Sequence, residues 1–347
     1  MMPYTGIHDL IVHNFQQERA PGGERKQVCE SAAGIVLERN GAGFAASGVF
    51  VSETVRLKFP ANEMIMTWNG TAPESAPLGI EFRVRGAGAD WSGWYQMGAW
   101  RPEKLKKICR HDPVYGPLNV DHLKATRMFD EAQYRAKFRS DSGTQTPSLR
   151  RISLCVSDTH RAGDAGNEPY CGGAVDLQVP WISQYDPEKV KDADMIQRGV
   201  CAATSVTMVL NYYGIPVEVA EIGRRAYDPN ARIFGNWAFL VAAASEFGPD
   251  AWAQRFNDLN VVESLIGEGM PLILSVSYKK GDLSPKPDRE SAGHLIVARG
   301  MTVDGDFICN DPDVRDPAEF GRPMIYRRGE LGRAFFGHGG VGLVIRK

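Results

Sequence analysis

The chain has 347 residues, an ordinary globular composition with 43% hydrophobic and 24% charged residues, and a formal charge of −2 at neutral pH. That balance excludes the basic excess of a nucleic-acid or anionic-membrane binder, so no nucleic-acid partner is expected. The length exceeds what one core usually serves, and two domains are expected.

The opening MMPYTGIHDLIVHNFQQERAPGG has no basic stretch followed by an apolar one, and no apolar run reaches membrane-spanning length. As written the chain is expected to be soluble and cytoplasmic, or extracellular if an export signal has been removed. From residue 30 to about 157 a two-residue period dominates. Ile80, Phe82 and Val84 alternate with Glu81, Arg83 and Arg85, and Arg151–Ser157 repeats the pattern. Ala33–Leu37, Gly48–Ser52, Thr54–Phe59, Met64–Trp68 and Trp94–Met97 are further predicted strands, and only Phe129–Lys137 carries a helical pattern. Many short strands between turn signals predict an all-β sandwich, jelly-roll-like, over residues 1–157.

Gly41, Gly43 and Ala46 make a G-x-G-x-x-A pattern, but a strand follows it where a phosphate-binding helix would have to start, so a hairpin turn is expected. Trp68, Trp91, Trp94, Tyr95 and Trp100 crowd one part of the region. They fit a sugar-stacking platform or, more commonly, a core. Breakers without periodicity from 158 to 177 predict a linker. Beyond it, over 178–347, helices are predicted at 201–213, 217–227, 237–247 and 261–267, with strands returning from Pro271 to the end, an α+β order.

Six cysteines, at 29, 109, 155, 171, 201 and 309, form no C-x-x-C pair and no zinc-type spacing with histidine. No structural metal, cofactor or disulfide framework is expected. The acidic run Asp311, Asp313, Asp316 also lacks the glycine and terminal glutamate of a calcium loop.

Cys201 differs from the others because it opens GVCAATSVTMVLNYYG, an almost wholly apolar helix pattern stopped by Gly214 and Pro216. In the first turn the unpaired N–H groups and the positive dipole end favour a thiolate, although a small buried hydrophobe is the plainer role for a cysteine. A nucleophilic thiol needs a base, and of seven histidines only His294 begins a predicted strand that a second strand, Asp306–Pro312, follows. A four-residue loop Met301–Asp304 would set His294 opposite Asp311; a two-residue turn Asp304–Gly305 would set Asp311 opposite Ala298. An ordinary hairpin is the alternative. Gln184 or Gln197 would lend an oxyanion donor beside the Cys201 N–H. The segment from Asp186 to Asp194 is an acidic insert, either a loop over the cleft or a surface excursion.

VPWISQYD, GVCAATSVTMVLNYYG, GNWAFLVAAASEFG, GHLIVARGM and FICNDP, in this order over about 175–347, resemble the C39-like branch of the papain-like cysteine peptidases, a bacterial, bacteriocin-processing type. The resemblance implies a papain-like fold with Cys201 as nucleophile, His294 as base and acid, Asp311 as orienter and Gln184 as oxyanion donor. The strand-rich half resembles the β-domain ahead of some such peptidases. A thiol hydrolase of peptide bonds is therefore expected, with Trp181, Tyr185 and Trp237 as candidates to line the groove. The alternatives are an acyl or peptidyl transferase using the same thiol, and a glycan- or cell-wall-binding protein with an inert peptidase-like domain.

Overall fold

The computed structural model describes residues 6–17, 21–100, 111–162, 172–285, 288–315 and 324–347. Cys109, Cys171, Asp316 and residues 163–171 of the expected linker lie outside them. The chain packs as two compact units, one of residues 8–159 with 229–231, the other of 160–228 and 232–347 with the first residues of the chain.

The first unit is strand-rich. Its strands are β1 (Gly6–Asn14), β2 (Gly23–Lys26), β3 (Val28–Ser31), β4 (Gly34–Leu37), β5 (Arg39–Asn40), β6 (Gly43–Phe44) and β7 (Ser47–Ser52). There follow β8 (Val55–Thr71), β9 (Leu78–Arg85), β10 (Tyr95–Trp100), β11 (His111–Asp112), β12 (Gly116–Asn119), β13 (His122–Arg139) and β14 (Ser148–Ala162). All but the small β5–β6 hairpin join one twelve-stranded sheet with the path β10-β9-β13-β8-β14-β4-β3, where a sandwich leads one to expect two sheets. The long β8 and β13 change partners along their length, which is what merges the layers.

Three expectations are corrected here. Phe129–Lys137 is strand, not helix, because the buried Ala132, Tyr134, Ala136 and Phe138 recur every second residue, and that alternation outweighs the helical propensity of Glu, Ala, Gln and Lys. Thr54–Phe59 and Met64–Trp68 are one strand, whose pairing with β13 is irregular near Pro60, so the proline displaces no ladder bond. Residues 158–162 continue β14 rather than opening a linker, since a backbone ladder is indifferent to polar side chains. The G-x-G-x-x-A segment is a hairpin, with Arg39 opposite Phe44 and Asn40 opposite Gly43.

Trp68, Tyr95 and Trp100 are core. Trp91 and Trp94 are half-buried, and each carries two guanidinium groups over its ring, Arg83 and Arg85 on Trp91, Arg83 and Arg135 on Trp94. A guanidinium over an aromatic face is a cation–π contact.

The second unit holds β15 (Val175–Asp176), α1 (Pro187–Val190), α2 (Ala193–Arg198), α3 (Cys201–Tyr212), α4 (Val219–Ala226), α5 (Trp237–Ser245), β16 (Asp250–Arg255) and α6 (Leu259–Gly267). It continues with β17 (Leu272–Tyr278), β18 (Ser291–Met301), β19 (Phe307–Asn310), β20 (Met324–Tyr326), α7 (Arg328–Gly337) and β21 (Val341–Arg346). The strands form an antiparallel sheet in the order β16-β21-β17-β18-β19-β20, with β15 on β18. Helix α3 packs on β18, α5 on β16 and α7 on β17.

Helix α3 stops as its sequence requires: the Gly214 N–H returns to Asn211 and that of Ile215 to Leu210. The acidic insert is two short helices, with Asp186 capping Glu188 and Asp192 capping Met195 through their carboxylates. Strand β16 and helix α7 were not foreseen; Leu331, Ala334 and Phe335 of α7 carry the helical spacing, but three glycines obscure it. The β15–β18 pairing needs Gly300. A Cβ there would stand 2.1 Å from the Val175 carbonyl oxygen. Gly300→Ala is therefore expected to cost about 1–3 kcal/mol by overpacking, read as a lower urea midpoint; an unchanged midpoint would refute the close packing.

Candidate active site

Cys201 is the first residue of α3, half-buried, and the helix is entered through Val200, which makes no side-chain capping bond. No side chain therefore competes for the N–H groups of the first turn. Ser205, one turn on and on the same helix face, donates its hydroxyl to the Leu295 carbonyl at 3.0 Å. This bond fixes α3 against β18 at the residue after His294. Nearby, the Leu295 backbone and the His294 imidazole both act to lower the pKa of the Cys201 thiol. Leu295 can reach the helix because β18 acquires its β19 partner only from Val297 onward.

The hairpin follows neither register expected from sequence. Thr302 pairs with Asp306 around Val303, Asp304 and Gly305, a three-residue loop in which Gly305 takes the left-handed conformation at φ 82°. Met301 then faces Phe307 and Gly300 faces Ile308, but Ala298 faces Cys309 and Val297 faces Asn310, so Arg299 is an extra, bulged residue. Beyond Asn310, Asp311 reaches back to the imidazole, with His294 Nε2 2.7 Å from Asp311 Oδ1. Both are buried, at 4% and 0% exposure. The Asp313 N–H also donates to Oδ1, at 2.8 Å, and the Tyr326 hydroxyl donates to Oδ2 at 2.6 Å.

Charge and burial oppose each other here. Burial disfavours a thiolate at Cys201, but the facing imidazole's charge, its hydrogen bond and the Leu295 N–H outweigh it and hold the thiol below its ordinary pKa. Burial likewise disfavours the imidazolium of His294, and the charges of Asp311 and Cys201 with their hydrogen bonds overcome it, pushing its pKa up. Burial and then Asp311 push Tyr326 well above the usual phenol range, so it stays a donor. By contrast the buried Cys309 is pushed up and is inert as a nucleophile.

The segment before α1 runs beside the same loop. Trp181 Nε1 donates to the Asp311 carbonyl at 3.0 Å, the Gln184 N–H to the Pro312 carbonyl at 2.9 Å, and Gln184 Nε2 to Asp313 Oδ1 at 3.1 Å. The Tyr185 hydroxyl also bonds Asp313, and Arg315 lies 4.2 Å over its ring. Gln184 is 6% exposed, whereas Gln197 is exposed on α2. Trp237 opens α5, half-buried, and its place in a groove rests on sequence alone. Sequence reading missed Tyr326, Asp313, Ser205 and Leu295. Of these only Ser205, a polar residue one turn after Cys201 in a largely apolar helix, carried a local signal.

Cys29, Cys155, Cys201 and Cys309 are free thiols, and among the described residues no group of three His, Cys, Asp or Glu side chains could hold a metal. Among them, too, no helix is long and apolar enough to cross a membrane.

Residues 176–321 match the model of the Peptidase_C39 like family and residues 25–157 that of the Peptidase C39 N-terminal domain. Among solved structures the chain is similar to the crystal structure of a proposed C39-like peptidase from Bacillus anthracis, at 16% identity over 51% of this chain and 98% of that one, with a TM-score of 0.38. It is also similar to infectious bursal disease virus, Gx strain, at 9% identity over 48% of this chain and 35% of that one, TM-score 0.21. The Gt strain gives 11% identity over 47% and 33%, TM-score 0.23. No curated protein matches the chain.

Proposed function

We propose that this chain, which carries a C39-like peptidase domain behind a C39 N-terminal domain, is a cysteine peptidase of papain-like α+β fold acting through Cys201, His294 and Asp311. One observation carries the reading: a buried imidazole whose Nε2 stands 2.7 Å from a buried carboxylate, with a helix-start thiol whose pKa that imidazole's charge lowers. The Cys201 thiolate attacks the peptide carbonyl, and the oxyanion is met by the Cys201 N–H and the Gln184 amide. His294 gives its proton to the leaving amine, freeing the carbonyl side as a thioester. It then takes a proton from water as the hydroxide adds to the thioester carbonyl; the C–S bond breaks, the acyl group leaves as a carboxylic acid, and the Cys201 thiolate and protonated His294 are restored. Asp311 keeps the imidazole oriented throughout and favours its charged form, and Tyr326 and the Asp313 N–H hold Asp311. Trp181, Tyr185 and Trp237 line the groove.

The pH dependence follows from the two shifts. Thiolate forms as pH climbs through the lowered pKa of Cys201, and the proton donor is lost as pH passes the raised pKa of His294, so hydrolysis is fastest between the two. Alkylation needs thiolate alone and stays fast on the alkaline side. The test is the rate of iodoacetamide labelling of each cysteine against pH, in the native protein and in His294→Ala. Cys201 is expected to react fastest near pH 6 and to lose that advantage without His294. Equal reactivity of Cys201 in both proteins would sink the reading. Digestion of a peptide library in 18O-labelled water with added amine separates hydrolysis, which leaves label in the new carboxyl termini, from transfer, which leaves amide.

A further inference from the structure

Of the two strands that carry His294 and Asp311, the register is not set by their loop. At the loop end Met301 faces Phe307 and Gly300 faces Ile308. Continued without interruption, that pairing would put Asp311 opposite Val297, three residues from His294, and the two side chains would project from opposite faces of the sheet. The extra residue at Arg299 shifts the ladder by one. Asn310 then faces Val297, so the same register carried one residue past the end of β19 sets Asp311 opposite Ile296, on the face that His294, two residues on, shares. One bulged residue separates a connected His–Asp pair from a disconnected one.

The bulge is also stapled. Arg299 is 9% exposed; its Nε donates to Asn310 Oδ1 at 2.9 Å, its Nη1 donates to the Leu177 carbonyl at 2.8 Å and pairs with Asp176, and its own carbonyl accepts the Leu177 N–H at 2.9 Å. Asn310 Nδ2 donates onward to the Val179 carbonyl at 2.9 Å. The guanidinium thus grips the residue that precedes Asp311 and the strand that leads to Trp181 and Gln184. Five donors in a rigid planar fork suit this role, and a lysine cannot reproduce it.

We propose that Arg299 is a positioning residue of the site: it holds the one-residue bulge that brings His294 and Asp311 to one face, and through residues 176–179 it ties that face to the Gln184 segment. The inference rests on the peptidase reading for its consequence but not for its geometry.

Arg299→Gln and Arg299→Lys test it, with circular dichroism and melting to show that each is folded. Two signals are read, the pH profile of Cys201 labelling by iodoacetamide and the downfield proton of the His294 Nε2–H bonded to Asp311 in 15N-histidine-labelled protein. In both variants the His294 signal is expected to weaken or vanish and the labelling midpoint to rise by about one pH unit, which lowers the rate about tenfold at pH values well below both midpoints. Folded variants that keep the native signal and profile overturn the proposal. Should both fail to fold, Asp176→Asn decides: its carboxylate is 42% exposed, and it loosens only the outer end of the staple. A smaller rise of the midpoint supports the proposal, and an unchanged one overturns it. If native Cys201 shows no dependence on His294, the peptidase reading fails, while the His294 signal still judges Arg299.

Discussion

Cys201→Ala is expected to abolish cleavage of a proteome-derived peptide library, with new termini falling on the order of 10⁵- to 10⁶-fold, as when the nucleophile of a hydrolytic triad is removed. The loss should leave the fold intact. Cys201 is half-buried at the first turn of α3, and the helix is still held by Ser205 on Leu295 and by its buried face from Ala202 to Leu210. Removing a single sulfur atom opens only a small cavity, so the melting temperature should move by a few degrees at most. A second consequence separates this prediction from a generic loss of activity. The imidazolium of His294 is stabilised by the Cys201 charge as well as by Asp311, so without the thiolate its titration, followed by NMR, should move down. Retained cleavage in Cys201→Ala would remove the thiol from the mechanism altogether.

Asp311→Ala should be damaging in two ways at once. The carboxylate is fully buried and accepts from His294, the Asp313 N–H and the Tyr326 hydroxyl. Deleting it leaves three buried donors without their acceptor, at about 1–3 kcal/mol for each that finds no substitute. It also frees the imidazole to turn, which in a comparable triad costs on the order of 10⁴-fold in turnover. Asp311→Asn distinguishes orientation from charge. Its carbonyl oxygen can still accept from His294 and Asp313, so most of the stability should return. The lost negative charge was among the groups that raised the pKa of His294, so the imidazolium should now give up its proton at lower pH. The alkaline limb of hydrolysis then moves down while the acid limb, governed by Cys201, stays nearly in place. An alkaline limb that did not move would mean that Asp311 acts by geometry alone.

How much of this could be read from the chain depends on how far the determining contacts reach. Helix α3 was legible from Cys201 to its stop at Gly214 because apolar spacing and a terminating glycine are local. The β13 segment from Phe129 to Lys137 was misread because short-range propensity favoured helix, while the alternation of Ala132, Tyr134, Ala136 and Phe138 answers to a core made by distant strands. Helix α7 was hidden by its glycines, and Tyr326 by the absence of any local reason for a tyrosine to matter there.

Alone, the sequence determined that a thiol would open a buried helix, that a histidine and an aspartate would lie on successive strands, and that the chain would divide between a strand-rich half and a mixed half. These are matters of period, caps and breakers, which act over a few residues. Only the tertiary structure decided the register between the two strands, since a bulge at Arg299 has no sequence signature and is held by Asp176 and Leu177, more than a hundred positions away. Because a strand's side chains alternate with a period of two, that single remote decision is what places His294 and Asp311 on the same face.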